Sequence, residues 1–340
     1  MTTAELPLVG AGGEPVDLWR TLQSHGLVEL PPMQIDPETR RLDVTLRIEG
    51  LGARRVAVTH GQKDVARVEM IGAGKLSTAA SSRLLGAVGH ILRLDEDLSP
   101  FYELARSDPD LAWAARGAGR MVRSQTVFEE VVKTVCTTNC AWSATERMVG
   151  ALVEHLGAAA PGAPATGPFG RAFPTPEAMA EADESFYRDT VRAGYRSAYL
   201  RTLASSVADG SVDLEELGHA TQEELSDDEV EARLLALPGV GPYAAAHIMM
   251  MLGRYSRLIL DSWTRPKYAA VTGGRPKKDT TIVRRFRRYG PYAGLAFWLV
   301  LTRDWVEEDE IAPPLPAWIS PPESPSQHPS LKRHAGHCHV

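Results

Sequence analysis

Asp261 follows three apolar residues, Leu258, Ile259 and Leu260, at the rim of an expected core. A carboxylate placed there is open to desolvation and to neighbouring charge, the two influences that tune it for acid–base or electrostatic work. A helix cap is the other reading, because Asp261 directly precedes Ser262, where a helix is expected to begin, and one residue can serve both ends. Upstream runs Pro238-Gly239-Val240-Gly241-Pro242, which reads as a tight hairpin between two helices. Ser226 followed by Glu229 is a capping-box start for the first helix, expected to end at Leu237. Pro242 stands where the second helix opens and no amide donor is needed. Gly239 and Gly241, on either side of Val240, let the backbone turn sharply and approach another molecule closely. The first amides of the second helix then offer positive potential to a phosphate. Such a pair of helices also occurs as packing alone.

The charge distribution bears on the same region. The whole chain is at −6, yet residues 265–288 hold nine basic side chains against one acid, Asp279, a local charge of +8 that leaves −14 elsewhere. Arg265, Lys277, Lys278, Arg284 and Arg285 are the candidates for gripping a polyanion at one place. A solvated loop followed by a solvated helix face explains the same run equally well.

The elements that must position these residues are legible as two patterns. Leu42, Val44, Leu46 and Ile48 alternate with polar residues, the period of a half-buried strand, and RRVAVTH and VARVEMIG repeat it. An antiparallel sheet of three to five strands is expected between Asp17 and about Gly74, with a helix from Ser81 to Ile91 lying on it. Beyond residue 110 the apolar spacing becomes helical and stays so, interrupted near Thr137–Cys140 and by the Pro/Gly linker PGAPATGPFGRAFPTP. Residues 1–16 are expected to be a disordered N-terminus and 311–340 a flexible tail rich in Pro, Ser and His. No internal repeat is evident.

Taken in order, these blocks resemble one family. LPGVGPYAA followed by LILD is similar to the hairpin-and-aspartate signature of the helix-hairpin-helix DNA glycosylase superfamily. VCTTNCAWSATERMVGALVEHLG, GYRSAYL and YGPYAGLAFWLVL resemble its interrupted helix, the segment before its hairpin and its closing helix. The N-terminal strands and DEDLSPFYELA resemble the bacterial alkylation-repair branch. The likeness spans about Asp17 to Trp305. It implies a mainly α fold with an N-terminal α+β part: a small antiparallel sheet domain over 17–110, then a two-lobed helical core over 111–310.

The resemblance also implies roles. Asp261 matches the family's aspartate, which stabilises an oxocarbenium-like sugar or orients water as an N-glycosidic bond breaks. Members that also cut the strand carry lysine two residues beyond the second glycine. Tyr243 stands there, so no Schiff base forms at that position, and a monofunctional enzyme leaving an abasic site is expected. Tyr243 is assigned to the base pocket, with a surface aromatic at a helix start as the plain reading. Thr138 and Asn139 occupy the wedge position, where Asn139 reads equally as a helix cap. Phe297 falls where the 8-oxoguanine branch carries a glutamine. With Trp298 and Trp263 it suggests an aromatic pocket suited to positively charged alkylated purines.

The expected partner is double-stranded DNA containing a damaged base, bound by a monomer without cofactor or metal. Two alternatives stand beside that reading. One is a glycosylase for oxidised or deaminated purines; the other is a catalytically silent, structure-specific DNA-binding protein. Cys136, Cys140 and Cys338 cannot form a disulfide framework or an iron–sulfur set, and Cys136 with Cys140 reads as core packing. His334, His337, Cys338 and His339 form a tail with metal-ligating residue types, read as solvated. The N-terminus lacks the order of a secretory signal and no apolar run is long enough to span a bilayer, so a cytoplasmic protein is expected.

Overall fold

The computed structural model describes residues 2–72 and 76–305. Five strands form one antiparallel sheet: β1 (Thr2–Pro7), β2 (Met33–Asp36), β3 (Arg41–Ile48), β4 (Gly52–His60) and β5 (Val65–Ile71), in the order β1-β5-β4-β3-β2. The alternation in β3 does set its faces, and Leu42, Val44, Leu46 and Ile48 are all buried. Val44 lies opposite Val56, and Val56 opposite Met70, so one apolar face continues across three strands. Leu84, Val88 and Ile91 of the helix α2 (Thr78–Ile91), preceded by the short α1 (Leu18–Leu22), join that core.

The N-terminus corrects the expectation of disorder over 1–16. Residues 2–7 are the edge strand β1, paired with β5 from Thr2↔Met70 to Pro7↔Val65. Leu8 and Val16 are buried, and Glu14 pairs with the fully buried Arg120 while accepting a hydrogen bond from the Leu98 amide at 2.7 Å. An acidic, glycine-containing segment is thus ordered by a partner more than a hundred residues away, which local composition does not reveal. The tail expected at 311–340, with its His334, His337, Cys338 and His339, lies outside the described residues.

The rest is helical: α3 (Ser99–Arg106), α4 (Val127–Thr137), α5 (Trp142–Leu156), α6 (Pro176–Glu181), α7 (Arg196–Ala208), α8 (Glu215–His219), α9 (Asp227–Leu235), α10 (Pro242–Met251), α11 (Thr264–Val271), α12 (Asp279–Phe286) and α13 (Ala293–Thr302). They enclose two cores. One lobe packs α4, α5, α7, α9 and one side of α10; the other packs α3, α11, α12, α13 and the opposite side of α10. Ala244, Ala245, Ile248 and Met249 face the first lobe, and Ala246, Met250 and Met251 face the second. That shared position explains why α10 is apolar on both sides apart from His247. Cys136 is buried within the first lobe, its thiol pushed up to about 12 by burial, and Cys140 Sγ donates to its carbonyl at 3.2 Å. Among the described residues no helix is long and apolar enough to cross a membrane.

Candidate functional site

The hairpin joins α9 to α10. Ser226 and Glu229 form the expected capping box at the start of α9, which ends at Leu235 rather than Leu237. Gly239 has φ +81°, a left-handed conformation that favours glycine, and an added Cβ would come within 2.8 Å of the Tyr199 ring. Gly241 is the N-cap of α10, and Pro242 occupies its first turn. Val240 is buried in the first lobe and anchors the turn from within.

Asp261 opens α11. Its Oδ1 accepts hydrogen bonds from the amides of Trp263 (2.9 Å) and Thr264 (2.6 Å), and its own amide donates to Thr264 Oγ1 (2.8 Å). The carboxylate therefore closes the turn ahead of α11, whose own N-cap position is Trp263. Thr264 is fully buried, so the clamp is anchored in the second lobe while the carboxylate stays half exposed. Asp261 is also close enough to His247 of α10 for its charge to oppose the loss of that imidazole's basicity.

The hairpin helix meets the second lobe at Tyr243, which is half buried and packs against both cores. One turn further, His247 lies with its ring 6.1 Å from that of Tyr243. Burial pulls the His247 imidazole down to about 4, and behind it His25 is pulled by burial to about 3. The two imidazole rings meet edge to face at 6.2 Å. Neither histidine was singled out by sequence reasoning. The available signal for His247 was a lone polar residue in an apolar helix, four positions beyond Tyr243; His25 offered none.

The aromatic wall expected from Trp263, Phe297 and Trp298 divides. Trp263 and Trp298 do come together, 5.6 Å apart, with Trp305 completing a three-ring cluster. The Trp298 indole donates to the Ser24 carbonyl at 2.7 Å, tying this cluster to the N-terminal region. Phe297 points elsewhere in the same lobe. It is fully buried among Phe286 (5.2 Å) and Tyr268 (5.9 Å), in the core of the second lobe. Neighbouring residues on a helix point roughly 100° apart, so Phe297 and Trp298 meet different rings of the same lobe.

The break between α4 and α5 carries Thr138 and Asn139. Asn139 has φ +45°, is exposed, and its Nδ2 donates to the Tyr195 hydroxyl at 3.4 Å. Thr138 Oγ1 accepts from Arg196 Nε at 3.3 Å. Tyr195 is half exposed and its ring lies 6.0 Å from Tyr199, which itself sits under Gly239. The break, the start of α7 and the hairpin therefore adjoin one another, with the exposed Asn139 and Tyr195 at the surface and Tyr195 as a member that sequence reasoning did not assign.

The basic run is less available than its count implies. Lys277, Lys278 and Arg284 are exposed. Arg265 makes a two-point pair with Asp279, both contacts at 2.9 Å. Arg285 is held by Asp110 at 3.0 Å and by the Tyr268 hydroxyl at 3.2 Å. Arg285 thus braces α12 against the segment before α4, a role that the sequence position could not show because Asp110 is 175 residues away.

No family model matches the chain. A putative DNA-3-methyladenine glycosylase of Bacillus subtilis is 26% identical over 132 residues, which span 37% of this chain and 44% of that relative. Among solved structures, a 3-methyladenine DNA glycosylase from Archaeoglobus fulgidus superposes with a TM-score of 0.66 at 19% identity, covering 90% of this chain and 99% of the other. An 8-oxoguanine glycosylase/lyase from Clostridium acetobutylicum, in complex with double-stranded DNA containing cytosine opposite 8-oxoguanine, gives a TM-score of 0.63 at 18% identity, covering 85% and 92%. With its sheet domain and its two helical lobes, this chain has the fold of these two DNA glycosylases.

Proposed function

We propose that this chain is a base-excision-repair DNA glycosylase that extrudes a damaged purine, preferentially an alkylated one, and hydrolyses its N-glycosidic bond to leave an abasic site. The observation that carries the reading is the Asp261 clamp. Oδ1 is committed to α11, so Oδ2 is the oxygen assigned to the reaction, held at the edge of the hairpin helix where the sugar of an extruded nucleotide would lie. Fixing the carboxylate in advance lets it stabilise developing positive charge on the sugar without reorganising at the moment of bond breaking.

The exposed Asn139 and Tyr195 beside the partly exposed glycines of the hairpin support double-stranded DNA as the partner. Base extrusion costs a few kcal/mol, least for a damaged or mispaired base, and Asn139 is the residue assigned to fill the gap. The amides at the start of α10, with Lys277, Lys278 and Arg284, are assigned to the phosphates. Tyr243 in place of a lysine supports hydrolysis without strand cleavage, since a phenol cannot form the Schiff base that a lyase step requires. The half-buried rings of Tyr243 and Trp263 support a cationic, alkylated purine, which stacks on aromatic faces.

The test is base release by the purified protein from duplexes containing alkylated purines, 8-oxoguanine, hypoxanthine or uracil, each read with and without alkali. Strand breaks that appear only after alkali, fastest for an alkylated purine, are expected. Breaks without alkali would overturn the monofunctional assignment. Fastest release of 8-oxoguanine would overturn the substrate preference, and silence with DNA binding intact would leave a binding protein.

A further inference from the structure

α10 buries one polar side chain in an otherwise apolar run: from Ala244 to Met251 only His247 is not apolar. Its ring is more than nine-tenths buried, and Nε2 has no hydrogen-bond partner among the described residues. Leaving such a nitrogen orphaned is unfavourable, and a near-isosteric leucine or methionine would fill the space without that cost. An orphan of this kind calls for an explanation outside the resting fold.

The neighbours locate it. Tyr243 lies one helical turn before it on the same face, with the rings 6.1 Å apart, and the charge of Asp261 acts on it. His25 closes the far side, edge to face. The tautomer of His25 follows from its partner: Nε2 is 2.6 Å from the Val122 carbonyl, which only accepts, so Nε2 carries the proton. His25 is therefore anchored to the backbone and backs His247. Its Nδ1 lone pair is likewise without a partner. His247 thus stands between the aromatic Tyr243, the clamped carboxylate and a fixed imidazole.

We propose that His247 reads the extruded base, with Nε2 hydrogen-bonding to the heteroatom edge of a purine seated against Tyr243, so that the base supplies the partner this nitrogen lacks. The inference rests on the glycosylase reading for the route by which a base arrives, and it adds the residue that recognises it. Burial keeps the imidazole uncharged at neutral pH. A neutral ring accepts a cationic alkylated purine without repulsion and still offers a directional hydrogen bond. His25 is a positioning residue that holds the ring from behind.

The experiment measures affinity for duplexes holding a cleavage-resistant 2′-fluoro nucleotide of 7-methylguanine, hypoxanthine or 8-oxoguanine, against a duplex with a baseless tetrahydrofuran site. The wild-type chain should prefer its best lesion to tetrahydrofuran. His247→Leu should reduce that preference by about tenfold, the effect of one buried hydrogen bond, with tetrahydrofuran affinity unchanged within about threefold. His247→Gln should recover part of it. His247→Leu should also melt at the same temperature as the wild type or higher, since an orphaned polar atom is removed.

Three results would overturn the inference: an unchanged preference in His247→Leu, parallel loss of lesion and tetrahydrofuran affinity, or no preference in the wild type. If no base is released from cleavable duplexes while the preference still falls in His247→Leu, the glycosylase reading fails and base recognition by His247 stands.

Discussion

Asp261 and Thr264 hold each other: the Asp261 carboxylate accepts from the Thr264 amide, and the Thr264 hydroxyl accepts from the Asp261 amide. A half-buried carboxylate is thereby fixed by a fully buried neighbour three residues away. The arrangement separates two consequences of substitution, because capping needs any short acceptor whereas the proposed chemistry needs a negative charge.

Asp261→Asn keeps an acceptor for the helix amides and removes the charge. Base release should fall by at least about a hundredfold, the scale of losing one electrostatic group in an active site. Stability should drop by no more than about 1 kcal/mol, and affinity for lesion duplex should persist. Single-turnover excision, thermal melting and equilibrium binding on one preparation check all three. Thr264→Val should show the converse balance, a stability loss of about 1–2 kcal/mol with a partial loss of rate.

His25 and His247 should make the fold acid-sensitive. Their folded pKa values, about 3 and about 4, lie below the value of about 6.5 expected in the unfolded chain. Between those limits the unfolded chain binds protons that the folded chain does not. Their contribution to stability is therefore complete above about pH 6.5 and is lost as pH falls toward 4, at about 1.4 kcal/mol per pH unit for each histidine. Replacing either one by Gln should flatten the slope of unfolding free energy against pH by that amount. Urea titrations between pH 4.5 and 6.5 measure it, and an unchanged slope would contradict the burial of neutral imidazoles.

The hairpin glycines should respond differently to the same change. Gly239→Ala places a Cβ at positive φ and 2.8 Å from the Tyr199 ring, whereas an added Cβ at Gly241 meets nothing within 4 Å. The first should cost about 1–3 kcal/mol and weaken DNA binding. The second should leave the melting temperature within a few degrees. Equal effects would mean that the turn is not held as described.

The basic residues should separate into phosphate contacts and internal braces. Lys277→Ala with Lys278→Ala should lower the slope of log affinity against log salt by about 2, without changing stability. Arg285→Ala should instead destabilise the fold by up to about 1 kcal/mol, since Asp110 and Tyr268 lose a shared partner. Salt-dependent binding and melting curves distinguish the two classes.

Local sequence determined the elements whose causes lie within a few residues. The alternation of Leu42 to Ile48, the Ser226–Glu229 box, the Gly239–Gly241 turn, the proline at the head of α10 and the break at Asn139 all follow from periods, caps and turn chemistry, and each stands where the residues imply. The turn that Asp261 closes ahead of α11 belongs with them. Tertiary structure decided everything that depends on which residues meet at long range. It ordered the N-terminal strand through β5 and the Glu14–Arg120 pair, turned Phe297 into core while leaving Trp298 beside Trp263, and tied Arg285 to Asp110. It also brought His25 against His247, across more than two hundred residues, under the helix that carries Tyr243. The physical reason is the range of the forces. Backbone preferences and caps act over one turn of chain, whereas burial, ion pairing and the loss of charge on a buried imidazole exist only once distant segments have excluded water from between them.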